Sequence, residues 1–154
     1  FIYDGLRDIS VTGTVTGKQI KEWLEKELNN VFAENASERF GGWVIKFKGM
    51  TITFKAFAPK GKRVETAIIA GLPLDVEKNY RICACERDGD PSDMLCRMKG
   101  VADAKNTPYT LHSVMKDYLK ANSPVTPSLP LSAKILDAPQ TLLSQVHGVK
   151  YQFR

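Results

Sequence analysis

The sequence predicts an α+β fold, mostly antiparallel sheet with two main amphipathic helices. Apolar residues recur at helical spacing in only two stretches, around 17–32 and 111–119. The segments between them are short runs rich in β-branched and aromatic residues, broken by Gly and Pro turns. At 154 residues, 43% hydrophobic and 25% charged, the chain has the composition of a folded domain and not of a disordered one. No apolar run approaches the ~20 residues that a membrane helix needs.

The elements follow in order. Ile9, Val11 and Val15 alternate and read as a strand that enters the first helix. Thr16-Gly17-Lys18-Gln19 has the form of a capping box, with a hydroxyl at the cap and an amide three residues on. Behind it Ile20, Trp23, Leu24, Leu28 and Val31 mark an apolar face over 17–32, and Lys21, Glu22, Glu25 and Lys26 mark the other face. Gly41-Gly42 opens a β region in which Trp43–Phe47 and Met50–Phe57 flank Lys48-Gly49, as a hairpin or as one bent strand. Pro59-Lys60-Gly61-Lys62 is a turn, Arg63–Ala70 a strand, Gly71–Asp75 a break and Asn79–Cys85 a further strand. Thr110 caps a second helix whose apolar face is Leu111, Val114, Met115, Tyr118 and Leu119. Pro124, Pro127 and Pro130 force an extended passage into a last strand at Ser132–Leu136. Residues 1–137 are expected to form the domain, and 138–154 a C-terminal extension packed on it or trailing from it.

The net charge is +5, a modest and scattered excess. The densest basic group, Lys46, Lys48, Lys55, Lys60, Lys62 and Arg63, has Phe47, Phe54 and Phe57 between its members. That mixture can hold single-stranded nucleic acid, but it is also the pattern of a half-buried strand, which is the expectation here. Neither nucleic acid nor a membrane is expected as a partner. Cys83, Cys85 and Cys96 are too few for a disulfide scaffold; buried thiols, one disulfide or a metal site each fit them. The chain opens on Phe1-Ile2 without a methionine, as a fragment or a processed chain would.

Catalytic apparatus is scarce. The two histidines, His112 and His147, lie apart, and no nucleophile-elbow, Walker or His-Glu-x-x-His motif occurs. The densest polar loop is Glu86-Arg87-Asp88-Gly89-Asp90-Pro91-Ser92-Asp93, directly after a predicted strand. Its four carboxylates and arginine could hold a cation or bond the hydroxyls of a sugar-like ligand, or it could be a solvated turn; its spacing does not match a calcium loop.

The order of motifs resembles the C-terminal domain of the 5'-nucleotidase family. The resemblance rests on Thr16-Gly17-Lys18-Gln19-Ile20-Lys21, Gly41-Gly42, Gly61-Lys62-Arg63-Val64, Pro73-Leu74-Asp75 and Lys78-Asn79-Tyr80, and it runs over roughly residues 6 to 136. It implies a substrate-binding domain of a two-domain, metal-dependent phosphohydrolase, with nucleotides or related phosphoesters as substrates. An N-terminal metallophosphoesterase domain of the same polypeptide would be the partner. That domain would hold divalent ions such as Mn or Zn, with no cofactor in this chain. The family's Asp-x-His, Gly-Asn-His and Gly-His-x-His ligand motifs do not occur here.

Residue by residue, the resemblance nominates Asp90, Gly89 and Asp88 as polar substrate contacts, Arg87 and Arg7 as anion contacts, and Asp8 where the family has an asparagine. The family clasps its base between two aromatic rings. The first position falls on Leu6; the second, counted back from Asp90, falls on Ala84. Both rings are missing at those positions. The thiosulfohydrolase branch of the same superfamily, which acts on sulfur carried by a protein cysteine, is an alternative compatible with Trp23-Leu24-Glu25. A second alternative is a non-catalytic interaction module with a degenerate pocket, using residues such as Tyr151 and Phe153. Hydrolases of this family are exported, so a periplasmic or extracellular place is expected.

Overall fold

The computed structural model describes residues 9–40, 47–85, 89–125 and 132–137. In chain order these form β1 (Ile9–Thr16), α1 (Gly17–Phe32), a single 3-10 turn (Ala36–Glu38), β2 (Met50–Phe54), β3 (Val64–Ile69), β4 (Leu72–Pro73), β5 (Asn79–Cys85), β6 (Ala102–Thr110), α2 (Leu111–Asn122) and β7 (Ala133–Ile135). They divide into two compact units. One takes the described residues up to Leu24 and from Leu74 to Val125, and the other those from Glu25 to Pro73 with 132–137. The helix α1 contributes its first half to the first unit and its second half to the second.

The first unit is built on a three-stranded antiparallel sheet ordered β5-β1-β6. Alternation along β1 sends Val11 and Val15 inward, where they are buried with Ile20, Leu24, Leu95, Met98 and Val101. Gly13 lies between those two valines because any Cβ there would collide with the Val101 side chain. Strand β6 is absent from the sequence reading, since Ala-Asp-Ala-Lys-Asn-Thr-Pro-Tyr-Thr carries little β signal. Partnership with β1 makes it a strand, and its two register irregularities accommodate what the sequence lacks. Asp103 lies in the left-handed region at one, and Pro108 falls in the stretch of the other.

The start of α1 is fixed as its capping box predicts. The Gln19 N–H donates to Thr16 Oγ1 (3.2 Å), and the Thr16 N–H donates to Gln19 Oε1 (2.7 Å). The next two N–H groups, of Gly17 and Lys18, donate to the carbonyls of Lys78 and Val76, both at 2.9 Å. A side chain on Gly17 would run into the Asp75 carbonyl, so glycine is required for this docking. Asp75 shapes the docked loop: its Oδ1 accepts from Glu77 N–H, and its own N–H donates to the Tyr80 hydroxyl. Three of the sequence motifs thus meet in one piece of backbone scaffolding.

The second unit is a four-stranded sheet ordered β4-β3-β2-β7, antiparallel except where β7 runs parallel to β2. Ile52 and Phe54 are buried from β2, and the Phe54 ring meets Phe32 from the end of α1 at 5.7 Å between centroids. The predicted last strand is present as β7. Beyond it, Asp137 accepts the N–H groups of Ala56 (2.7 Å) and Phe57 (2.9 Å) on its two carboxylate oxygens.

Two side-chain expectations are corrected. Glu25 is buried and does not belong to the solvent face of α1: its oxygens accept the backbone N–H groups of Arg63 (3.0 Å) and Val64 (2.7 Å). Arg63, grouped by sequence with the basic surface, is 4% exposed. The predicted strand over Trp43–Phe47 lies, apart from Phe47, outside the described residues, as does the extension from 138.

Candidate functional site

The loop that follows β5 is the candidate site, and its geometry is a chain of short backbone closures. Gly89 is exposed with φ +88°, a conformation that glycine takes without strain. Asp90 follows, half-buried. Its Oδ2 is enclosed and has no hydrogen-bond partner among the described residues. An enclosed carboxylate oxygen without a donor is costly.

Beyond Asp90 the chain is held turn by turn. Met94 N–H donates to the Pro91 carbonyl (2.9 Å), and Val101 N–H closes on the Asp93 carbonyl (2.8 Å). Inside that closure, Leu95 and Met98 exchange both backbone bonds at 3.0 and 2.9 Å. The two residues between them, Cys96 and Arg97, have φ of 48° and 66°, as a type I′ turn requires. Leu95, Met98 and Val101 are buried.

Two side chains of α1 bond this loop. The Trp23 indole N–H donates to the Cys96 carbonyl at 3.0 Å. The Gln19 amide nitrogen donates to the carbonyls of Lys99 (3.0 Å) and Gly100 (2.8 Å), while its oxygen serves the helix cap. The sequence puts Trp23 on the apolar face and Gln19 in the cap; their second roles depend on partners far along the chain, Cys96 for Trp23 and Lys99 and Gly100 for Gln19.

Of the predicted site residues, Gly89 and Asp90 are adjacent on this loop. Arg7, Asp8, Arg87 and Asp88, with Leu6, lie outside the described residues. Ala84 stands opposite Val11 in the β1–β5 register and carries no ring. Among the described residues no group of three or more His, Cys, Asp or Glu side chains comes together to hold a metal ion. The Cys83 thiol is free and exposed on β5.

The second unit has a separate groove of about 1150 Å³, lined in part by Asn29, Glu38, Arg39, Phe57, Lys60 and Arg63. Its floor is structural. Arg63 donates from Nε to the Ala56 carbonyl (3.0 Å), from Nη1 to Asn29 Oδ1 (2.9 Å) and from Nη2 to the Phe32 carbonyl (3.2 Å). The Asn29 amide donates to Glu38, which also pairs with Lys60 at 3.1 Å. The Asn29 amide and then the Lys60 ammonium hold the Glu38 carboxyl below its ordinary range. No helix of the described residues is long and apolar enough to cross a membrane.

Comparison with known proteins identifies a family. The model of the 5'-nucleotidase C-terminal domain matches residues 6–86. Among solved structures, the chain is similar to the sulfate thiohydrolase SoxB of Thermus thermophilus, with a TM-score of 0.71 and 24% identity over 86% of this chain and 23% of that one. It is similar also to a 5'-nucleotidase precursor from the same organism, with a TM-score of 0.67 and 21% identity over 85% of this chain and 26% of that one. The chain therefore spans about a quarter of the length of these structures. No curated protein matches it.

Proposed function

The chain belongs to the 5'-nucleotidase C-terminal-domain family, and from that premise we propose that it is the substrate-binding part of a two-domain, metal-dependent hydrolase of phosphoesters. The observation that carries the reading is Asp90, half-buried and with an Oδ2 that has no hydrogen-bond partner among the described residues, on the loop that the family resemblance assigns to substrate. In this role Asp90 accepts a hydrogen bond from a substrate hydroxyl and fixes its orientation. Gly89 lets the backbone pass close to the ligand, and Arg87 and Arg7 attract its anionic group. By the family resemblance, the metal ions would be held by an N-terminal metallophosphoesterase domain. Such ions activate water and neutralise charge on the phosphoryl group. The proposed setting is periplasmic or extracellular.

The test is phosphate release by the polypeptide carrying both domains, loaded with manganese or zinc. The substrates are nucleoside monophosphates, cyclic nucleotides and sugar phosphates, with sulfate release from thiosulfonate adducts measured alongside. Phosphate release that falls at least tenfold in kcat/KM on Asp90→Ala supports the reading. Sulfate release alone transfers it to the thiosulfohydrolase branch. Silence across the panel with metal bound leaves the interaction module, a reading favoured by one observation: the apolar face of α2 is exposed along its length.

A further inference from the structure

We propose that Gln19 and Trp23 of α1 are positioning residues for Asp90, holding the loop that carries it in a binding-ready form before any ligand arrives. The inference rests on the reading of Asp90 as a substrate contact and goes beyond it, because neither residue is assigned to substrate.

The loop has a reason to need an external hold. Its innermost turn places two residues with side chains, Cys96 and Arg97, in the left-handed region that glycine and asparagine favour. Backbone of that kind persists where its surroundings over-determine it. Three contacts do so here. The indole N–H of Trp23 is bonded to Cys96, inside the strained turn. The Gln19 amide is bonded to the two carbonyls that lead out of it, Lys99 and Gly100. Leu95 and Met98, at the turn's two ends, are buried. Val101 then closes on Asp93, three residues beyond Asp90 and inside the turn that Met94 closes on Pro91, so the far end of the same closure is tied to the segment that follows Asp90. Gln19 does this while its oxygen completes the capping box, so the start of α1 and the exit of the loop are set by one side chain.

A preformed loop spares the ligand the entropy of ordering it, and loss of the hold should appear as lost affinity. The variants separate this role from folding. Trp23→Phe keeps an aromatic ring and removes the N–H, with some loss of ring volume. Gln19→Glu keeps the acceptor for Thr16 at a helix start that tolerates negative charge, and removes both donors. Residue-resolved amide exchange and the affinity for ribose 5-phosphate, with 5'-AMP as a second probe, are measured on the whole chain.

Each variant should raise exchange at Leu95, Met98 and Val101 about tenfold, leave Val11 and Val15 unchanged, and weaken binding roughly threefold to tenfold. In an Asp90→Ala background the same substitutions should still speed exchange but change affinity no further. Faster exchange with full affinity, or exchange that does not move, overturns the positioning role while Asp90→Ala alone still weakens binding. If Asp90→Ala leaves affinity unchanged, or the parent chain binds neither probe, the reading of Asp90 fails first and takes the positioning role with it.

Discussion

A guanidinium taken out of water has five donors to satisfy, and Arg63 places three of them on two carbonyls and an amide oxygen. Its value to the fold is therefore the set of acceptors it fills. Arg63→Met should destabilise the chain by about 3 kcal/mol in urea unfolding, because the Ala56 and Phe32 carbonyls and the Asn29 amide are left short of a donor. A loss below about 1 kcal/mol would show that water reaches those groups. Asp137 works in the opposite sense, as an acceptor for two N–H groups. Burial pushes its carboxyl up, but the N–H groups of Phe57 and Ala56 outweigh burial and hold it below the usual aspartate value. A depressed carboxyl stabilises the fold above its unfolded pKa, near 4, and loses that contribution as pH falls through the lower folded value. Acid titration of unfolding should thus show stability declining below about pH 4, with the decline flattened in Asp137→Asn. An unchanged profile in that variant would exclude Asp137 as its source.

At the scale of elements, burial and not amphipathic pattern decides what a helix contributes. α1 and α2 have similar apolar stripes, yet α1 buries Ile20, Leu24 and Leu28, while every large apolar side chain of α2, from Leu111 to Leu119, is at least 43% exposed. Leu24→Ala should therefore cost about 2–5 kcal/mol, whereas Leu119→Ala should stay below about 1 kcal/mol, both read from denaturant midpoints at constant m-value. A large loss at Leu119 would mean that something covers α2 in solution. The contrast also marks what was legible in the sequence. Periodicity and the Thr16–Gln19 box give α1 its bounds, and Thr110 gives α2 its start, because these signals are local. The fate of a helix face is not local. Glu25 reads as solvated from its neighbours in the chain, and only the N–H groups of Arg63 and Val64, across the fold, make it a buried acceptor. Strand β6 is hidden for the same reason, since its pairing with β1 overrides a weak intrinsic preference.

For the molecule as a whole, most of the family's motifs prove to be scaffolding. Thr16-Gly17-Lys18-Gln19, Asp75, Lys78 and Tyr80 dock α1 on a loop, and Arg63 ties β3 to α1, so the family was legible because its backbone supports are legible. The site was less so: the Asp90 loop stands out by composition, while its holders in α1 do not. The same division bears on ligand class. A clasp of two rings would make a nucleobase the dominant contact, since each stacking ring is worth ~1–3 kcal/mol, or roughly five- to 150-fold in affinity. At the corresponding positions this chain has Leu6 and Ala84, and Ala84 pairs with buried Val11 in the β1–β5 register. What the proposed site keeps for recognition is the hydroxyl-and-phosphate part of a ligand, which Asp90 and the arginines would meet. Calorimetric titration of the chain should therefore give 5'-AMP and ribose 5-phosphate affinities within about threefold of one another, the base adding little. A preference for 5'-AMP of tenfold or more would require a ring from elsewhere in the protein to stack on the base, and would return the chain to nucleotide recognition by a different clasp.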